Sequence, residues 1–130
     1  MNAKPERNRL ATVTHEFQQP IRHVNQMASG GSFVAYFTLR LTPLRDSAEV
    51  QFSSEASEPE LEPWMASAIE RGIRDFVSQR ERDGKPVGYV RVALVDIRVH
   101  PVDSKESAFK QAAFMAMTQA FEAHETLVDI

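Results

Sequence analysis

The sequence contains no cysteine, which excludes disulfide frameworks, thiolate metal sites and cysteine nucleophiles. It has no apolar run near the roughly 18 residues that a membrane span needs. Its first residues, Met1-Asn2-Ala3-Lys4-Pro5-Glu6-Arg7, are charged and carry no apolar core of a secretory signal. A cytoplasmic protein without a membrane partner is the expectation. Excess positive charge is missing too: the net charge is −3 and the pI is about 5.8. A surface that is wholly a nucleic-acid glove is thereby excluded, because neutralising phosphates demands a basic balance. A local basic patch is not excluded.

Catalytic signatures are absent from the sequence as well. The four histidines, His15, His23, His100 and His124, show neither H-x-H nor H-E-x-x-H spacing, so zinc is not expected. No serine stands in G-x-S-x-G, and no carboxylate pair suits acid–base chemistry. No G-x-x-x-x-G-K-[ST] occurs, so phosphates have no P-loop to occupy. The expectation is a protein that is not an enzyme and needs no cofactor. The acidic stretch Glu55–Glu62 lacks the glycine and alternating ligands of a calcium loop and reads as a solvated linker.

What is present is the composition of one globular domain. Hydrophobic residues make up 42% and charged residues 25% of 130, enough apolar material for a single core. Residues 1–9 read as a flexible N-terminal segment and 10–130 as the domain. Residues 10–18 alternate weakly and predict a half-buried strand, interrupted at Pro20, with a second extended piece over 21–27. Phe33, Ala35, Phe37, Leu39 and Leu41 share one face of the clearest strand, against Val34, Tyr36, Thr38, Arg40 and Thr42 on the other. Ala48, Val50 and Phe52 return after a turn, which reads as a hairpin.

Two amphipathic helices follow. Trp64, Met65, Ala68, Ile69, Gly72, Ile73, Phe76 and Val77 recur at helical spacing, with Trp64 as a core anchor. Glu60 and Glu62 suit the N-terminal end of the helix dipole. Arg80, Arg82, Gly84 and Pro86 are stop signals. Gly72 in mid-helix costs about 1 kcal/mol relative to alanine, so it implies a close packing contact. Val90, Val92 and Leu94 alternate, then Val95, Ile97 and Val99 take over one step out of phase, which predicts a β-bulge near Leu94-Val95. Asp103 and Glu106 form a capping box for a second helix striped with Ala108, Phe109, Ala112, Ala113, Ala116, Met117, Ala120 and Phe121. The tail 126–130 suits a last short strand. Two helices with one apolar stripe each require the buried face of one sheet, an α+β two-layer sandwich.

Three stretches in order resemble domain IV of elongation factor G. Val102-Asp103-Ser104-Lys105-Glu106-Ser107-Ala108-Phe109-Lys110 is similar to the family's V-D-S-S-E-x-A-F-K. Ala68-Ile69-Glu70-Arg71-Gly72-Ile73, followed later by Gly88-Tyr89, is similar to A-V-x-x-G-I and G-F/Y. Gly30-Gly31 and a strand ending Leu39-Arg40-Leu41-Thr42-Pro43-Leu44 are similar to G-G-R-G-Q-Y-G and I-x-V-x-P-L. The resemblance spans roughly residues 10–130. It implies the fold of the second domain of ribosomal protein S5: a four-stranded mixed sheet, two helices on one face and a left-handed βαβ crossover. General rules favour a right-handed crossover, so that handedness comes from the resemblance.

The resemblance also implies a function. The family's domain reaches the ribosomal decoding centre with loops at its tip. The residues matching that tip are Gly30, Gly31, Ser32, Arg98, His100 and Ser104. The second of these loops, at Arg98-Val99-His100-Pro101-Val102-Asp103-Ser104, is about four residues shorter than the family's over strand and loop together. Ser32 and Phe33 stand where basic and glycine residues would come. No counterpart of the factor's GTPase domain lies within these 130 residues, so GTP binding is not expected. The initiating methionine, and an end just before the next domain would begin, suit a complete gene.

Plainer readings stand beside these. His100 suits an RNA contact or an ordinary polar strand end, and Gly30-Gly31 a phosphate approach or a hairpin turn. Arg80, Arg82, Lys85, Arg91 and Arg98 read as a basic patch or as a solvated helix end with exposed strand arginines. The implied function is a non-enzymatic accessory of translation that binds the ribosome or ribosomal RNA by shape. The alternative is a protein–protein interaction module, a homodimer being one form of it. Val34 and Tyr36, on a sheet face that should be polar, motivate that alternative.

Overall fold

The computed structural model describes residues 9–26, 32–56, 63–98 and 106–129, with the backbone alone at 23–26 and 32–34. Within them the chain forms, in order, β1 (Arg9–Val13), β2 (Phe17–Gln26), β3 (Ser32–Pro43) and β4 (Val50–Ser54). Then come α1 (Pro63–Arg82), β5 (Val90–Arg98), α2 (Glu106–His124) and β6 (Glu125–Asp129). A four-stranded sheet has the order β2-β3-β5-β4, and β1 pairs with β6 in a small second sheet. β3 is antiparallel to β2 and β5, while β4 is parallel to β5. This is the α+β topology of the S5 second domain, a mixed four-stranded sheet with two helices.

The alternation in β3 explains which face the helices cover. Ala35, Phe37, Leu39 and Leu41 are buried, whereas Tyr36, Thr38, Arg40 and Thr42 are half-buried on the opposite face. Register carries the same division to the neighbours, since Ile21 lies opposite Phe37 and Val92 opposite Leu41. α2 packs over β2 and β3, and α1 over α2 and β4. Trp64, half-buried, meets the buried Phe109 ring edge-on at 5.8 Å.

Gly72 is where the helices come closest. A Cβ there would stand 2.2 Å from the Lys110 carbonyl oxygen and 2.8 Å from the Ala113 Cβ. The alanine stripe of α2 and the missing side chain on α1 together allow that approach. Near Gly72 the surface is closed by ion pairs, Arg71 with Glu106 and Lys110 with Asp75.

Two expectations about the strands need correction, and a third holds. β3 and β4 are no hairpin: β5 lies between them and pairs with both. The alternation of Val50 and Phe52 specifies a strand and its buried face but is silent about its neighbour. Pro20 does not interrupt a strand either, and sits inside β2 opposite Thr38. β2 is an edge strand, where a missing N–H leaves fewer ladder bonds unmade. The chain turns instead at Thr14–Glu16, where the Thr14 N–H donates to the His124 carbonyl at 2.9 Å. The bulge falls where the phase slip puts it: Thr38 pairs with Asp96 and Leu39 with Leu94, leaving Val95 as the extra residue. Asp103, Glu60 and Glu62 lie outside the described residues.

A junction at Gly88-Tyr89 ties the two sheets together. The Gly88 N–H donates to the Ala11 carbonyl and the Ala11 N–H to that of Pro86, so β1 is clasped on this side as well. The buried Thr12 hydroxyl donates to the Tyr89 carbonyl at 2.7 Å, which also accepts the Leu44 N–H. A Cβ on Gly88 would lie 2.2 Å from the Ala48 carbonyl oxygen. Close backbone approach, not turn formation, is what requires glycine at this position.

Candidate functional site

The strand directions bring two segments to one end of the sheet. β2 and β3 are antiparallel with Gln26 opposite Ser32, and β5 runs antiparallel to β3 and ends with Arg98 opposite Tyr36. The chain therefore leaves β2 and leaves β5 at the same end. The β2–β3 pair continues four residues beyond Tyr36, roughly 14 Å at strand rise.

Of the residues expected at the tip, Gly30, Gly31, His100 and Ser104 lie outside the described residues. Ser32 is the first residue of β3. Arg98 is exposed at the last position of β5, with its guanidinium over the Tyr36 ring at 5.8 Å from the centroid.

The wider basic patch is not assembled. Arg80 sits on the helix side, its guanidinium 5.8 and 5.5 Å from the Phe76 and Phe121 ring centroids. It also bonds the Lys85 carbonyl and pairs with Glu125 at 3.1 Å. Arg82 reaches back to Gln79. Arg91 and Arg98 instead alternate with core residues of β5 and face away from the helices. Closeness in sequence joins two features that have different neighbours in space.

The open face of the sheet carries a different arrangement. Arg22 pairs with Tyr36 across β2–β3, and Tyr36 with Arg98 across β3–β5, making one row of arginine, tyrosine and arginine. Tyr36 is half-buried and both arginines are exposed. Among the described residues neither arginine has a carboxylate within ion-pair distance. The sequence does not single out Arg22, because 14 positions separate it from Tyr36 and only strand register joins them.

Farther from that end the face is neutralised. Arg40 grips Glu55 with both guanidinium arms, one at 3.0 Å. The hydrogen bond from Arg40 holds the Glu55 carboxyl below its ordinary value near 4.5, and the same bond raises Arg40. Arg91 adds a smaller electrostatic pull on Glu55. The Thr42 hydroxyl donates to Glu16 at 2.9 Å.

No cluster of three or more potential metal ligands occurs among the described residues. A cavity of about 480 Å³ opens between the end of α1 and β6, lined in part by Arg9, Arg80, Lys85, Glu122 and Leu127. Two of its arginines are paired, Arg80 with Glu125 and Arg9 with Asp129 at 3.8 Å. Among the described residues no helix is long and apolar enough to cross a membrane.

Comparison with known proteins agrees with this geometry. The family model described as elongation factor G, domain IV, matches residues 12–124. Elongation factor G 1 of Syntrophomonas wolfei subsp. wolfei is 31% identical over 119 residues, covering 91% of this chain and 17% of that protein. Elongation factor G 2 of Desulfotalea psychrophila is 33% identical over 114 residues, covering 87% and 16%. The chain therefore spans about a sixth of the length of these relatives. A crystal structure from Thermus thermophilus superposes with a TM-score of 0.77 at 24% identity, covering 92% of this chain and 18% of that one, and supports the fold. With the family model matched from β1 to the end of α2, the chain belongs to the family of elongation factor G, domain IV.

Proposed function

We propose that the protein is a non-enzymatic, ribosome- or RNA-associated accessory of translation that acts by shape and without GTP. One observation carries the reading. Within a domain that belongs to the family over residues 12–124, β2 and β5 both deliver the chain to one end of the sheet, the end that bears Arg98. A narrow wedge offering Gly30, Gly31, Ser32, Arg98, His100 and Ser104 would contact RNA through backbone and charge, the interactions that position a protein on nucleic acid. Function belongs to a site and not to a fold, so the reading depends on that end of the molecule.

Co-sedimentation with intact ribosomes and separated subunits, across a salt titration, tests it. The expected outcome is binding that weakens steeply with salt and drops on changing Arg98 and His100 to alanine. A protein that stays in the supernatant even at low salt would end this reading.

A further inference from the structure

We propose that the row Arg22–Tyr36–Arg98 on the open face of the sheet is a binding site for single-stranded RNA. One base stacks against Tyr36 and the two arginines take the flanking phosphates. This deepens the RNA-associated reading and rests on it for its setting, but moves the interaction from the tip loops onto the strands.

Strands in a sheet stand about 4.8 Å apart, so the Cα atoms of Arg22 and Arg98 lie about 10 Å apart on either side of Tyr36. The Arg98 guanidinium already lies by the ring. An aromatic ring between two cations offers a stacking surface and phosphate donors together, the pair of features by which sheet faces hold unpaired bases. Neither arginine has an acidic partner among the described residues, unlike Arg40, which is held by Glu55. Asp96, one row away opposite Thr38, is the nearest carboxylate in the register.

Other occupants fit less well. A second copy docking by this face would set its arginines against these, and like charges brought together oppose association. An acidic peptide would answer the arginines but leave the ring without a flat partner. The net charge of −3 does not decide the matter, because phosphate attraction falls off over about 8–10 Å at ordinary salt and is therefore local.

The test is fluorescence anisotropy with a labelled oligouridine of about ten nucleotides, a length within the usual span of such sites. Wild type should bind at low salt, with log K falling linearly against log salt. Replacing Arg22 and Arg98 together by glutamine should flatten that slope by about 0.7 for each phosphate no longer neutralised. Tyr36→Leu, which keeps the bulk and removes the ring, should weaken binding roughly tenfold, whereas Tyr36→Phe should stay within about twofold. Asp96→Asn should tighten it. Circular dichroism of each variant guards against misfolding, and Tyr36→Phe with Asp96→Asn keeps the test informative if Tyr36→Leu fails to fold.

Wild-type affinity and an unchanged slope in the double variant would overturn the proposal. So would the absence of oligouridine binding at low salt, or a dimer seen by size exclusion that Arg22→Gln and Arg98→Gln alter without any RNA binding. Tighter binding of a poly-aspartate peptide than of oligouridine, with Tyr36→Leu leaving both affinities unchanged, would favour an acidic protein partner and overturn it too. The ribosome experiment separates the two readings. Because Arg98 belongs to both readings, Arg22 and Tyr36 tell them apart. Ribosome binding that drops with His100→Ala but survives Arg22→Gln and Tyr36→Leu, with oligouridine binding also unchanged in those two, refutes the row and leaves the tip intact. Oligouridine binding through the row without ribosome binding supports the row and removes the ribosome.

Discussion

The two faces of the four-stranded sheet are built from alternate residues of the same strands, yet they obey different constraints. The covered face, with Phe37, Leu39, Leu41, Val92 and Leu94, is sealed by two helices and fully buried. The open face, with Arg22, Tyr36, Thr38, Arg40, Arg91 and Arg98, meets solvent and is rich in charge. On the first, a change of one methylene is felt as a void or a clash. On the second, side chains are free to vary with what they bind. Stability and recognition are thus divided here by the period of two in a strand.

Neighbouring positions on β3 put that division to its hardest trial. Leu39→Ala, at a fully buried position, should cost about 2–5 kcal/mol in urea unfolding. A smaller loss would mean that the covered face is loosely packed. Gly72→Ala comes next, because its Cβ would meet Lys110 and Ala113 between the helices. Overpacking of about 1–3 kcal/mol should outweigh the roughly 1 kcal/mol of added helix propensity, leaving a net destabilisation of the thermal transition.

On the open face, the Arg40–Glu55 pair is accessible through pH. Its hydrogen bond lowers the Glu55 carboxyl from an ordinary value near 4.5. A carboxyl depressed in the folded state contributes stability that is complete above its unfolded value and lost as pH falls through the folded one. Glu55→Gln should therefore reduce the drop in melting temperature on acidification below that ordinary value and leave melting near neutrality little changed, a small effect for a surface pair. An unchanged acid profile would show that the pair is not held in solution. Smallest of all, Thr38→Val, adjacent to Leu39 but on the open face, should shift stability by less than about 0.5 kcal/mol in the same urea unfolding.

Much of this architecture was legible in the chain, for reasons that differ by element. Both helices announce themselves through stripes at three and four residues, and Met65, Ile69, Ile73 and Phe76 are indeed the buried side of α1. The bulge at Val95 was legible because a bulge shifts the phase of an alternation. The partner of β4 was not, since Val50 and Phe52 would be equally buried beside β3 or beside β5. Pro20 misled because its effect depends on whether its strand is an edge, a property of the whole sheet. Arg98 was legible as a site residue through the resemblance, whereas Arg22 was not, having no motif around it.

The chain's residues alone specify the type of each element, the side of it that is buried, and membership of the domain IV family through motifs at Ala68–Ile73 and Val102–Lys110. These are local properties, set by side-chain period and by short runs of residue types. Three further facts exist only in the folded arrangement: β5 separates β3 from β4, β1 closes with β6, and Arg22 and Arg98 flank Tyr36. Strand neighbours are chosen by chain closure and by the packing of both helices at once, and no window of sequence contains those conditions.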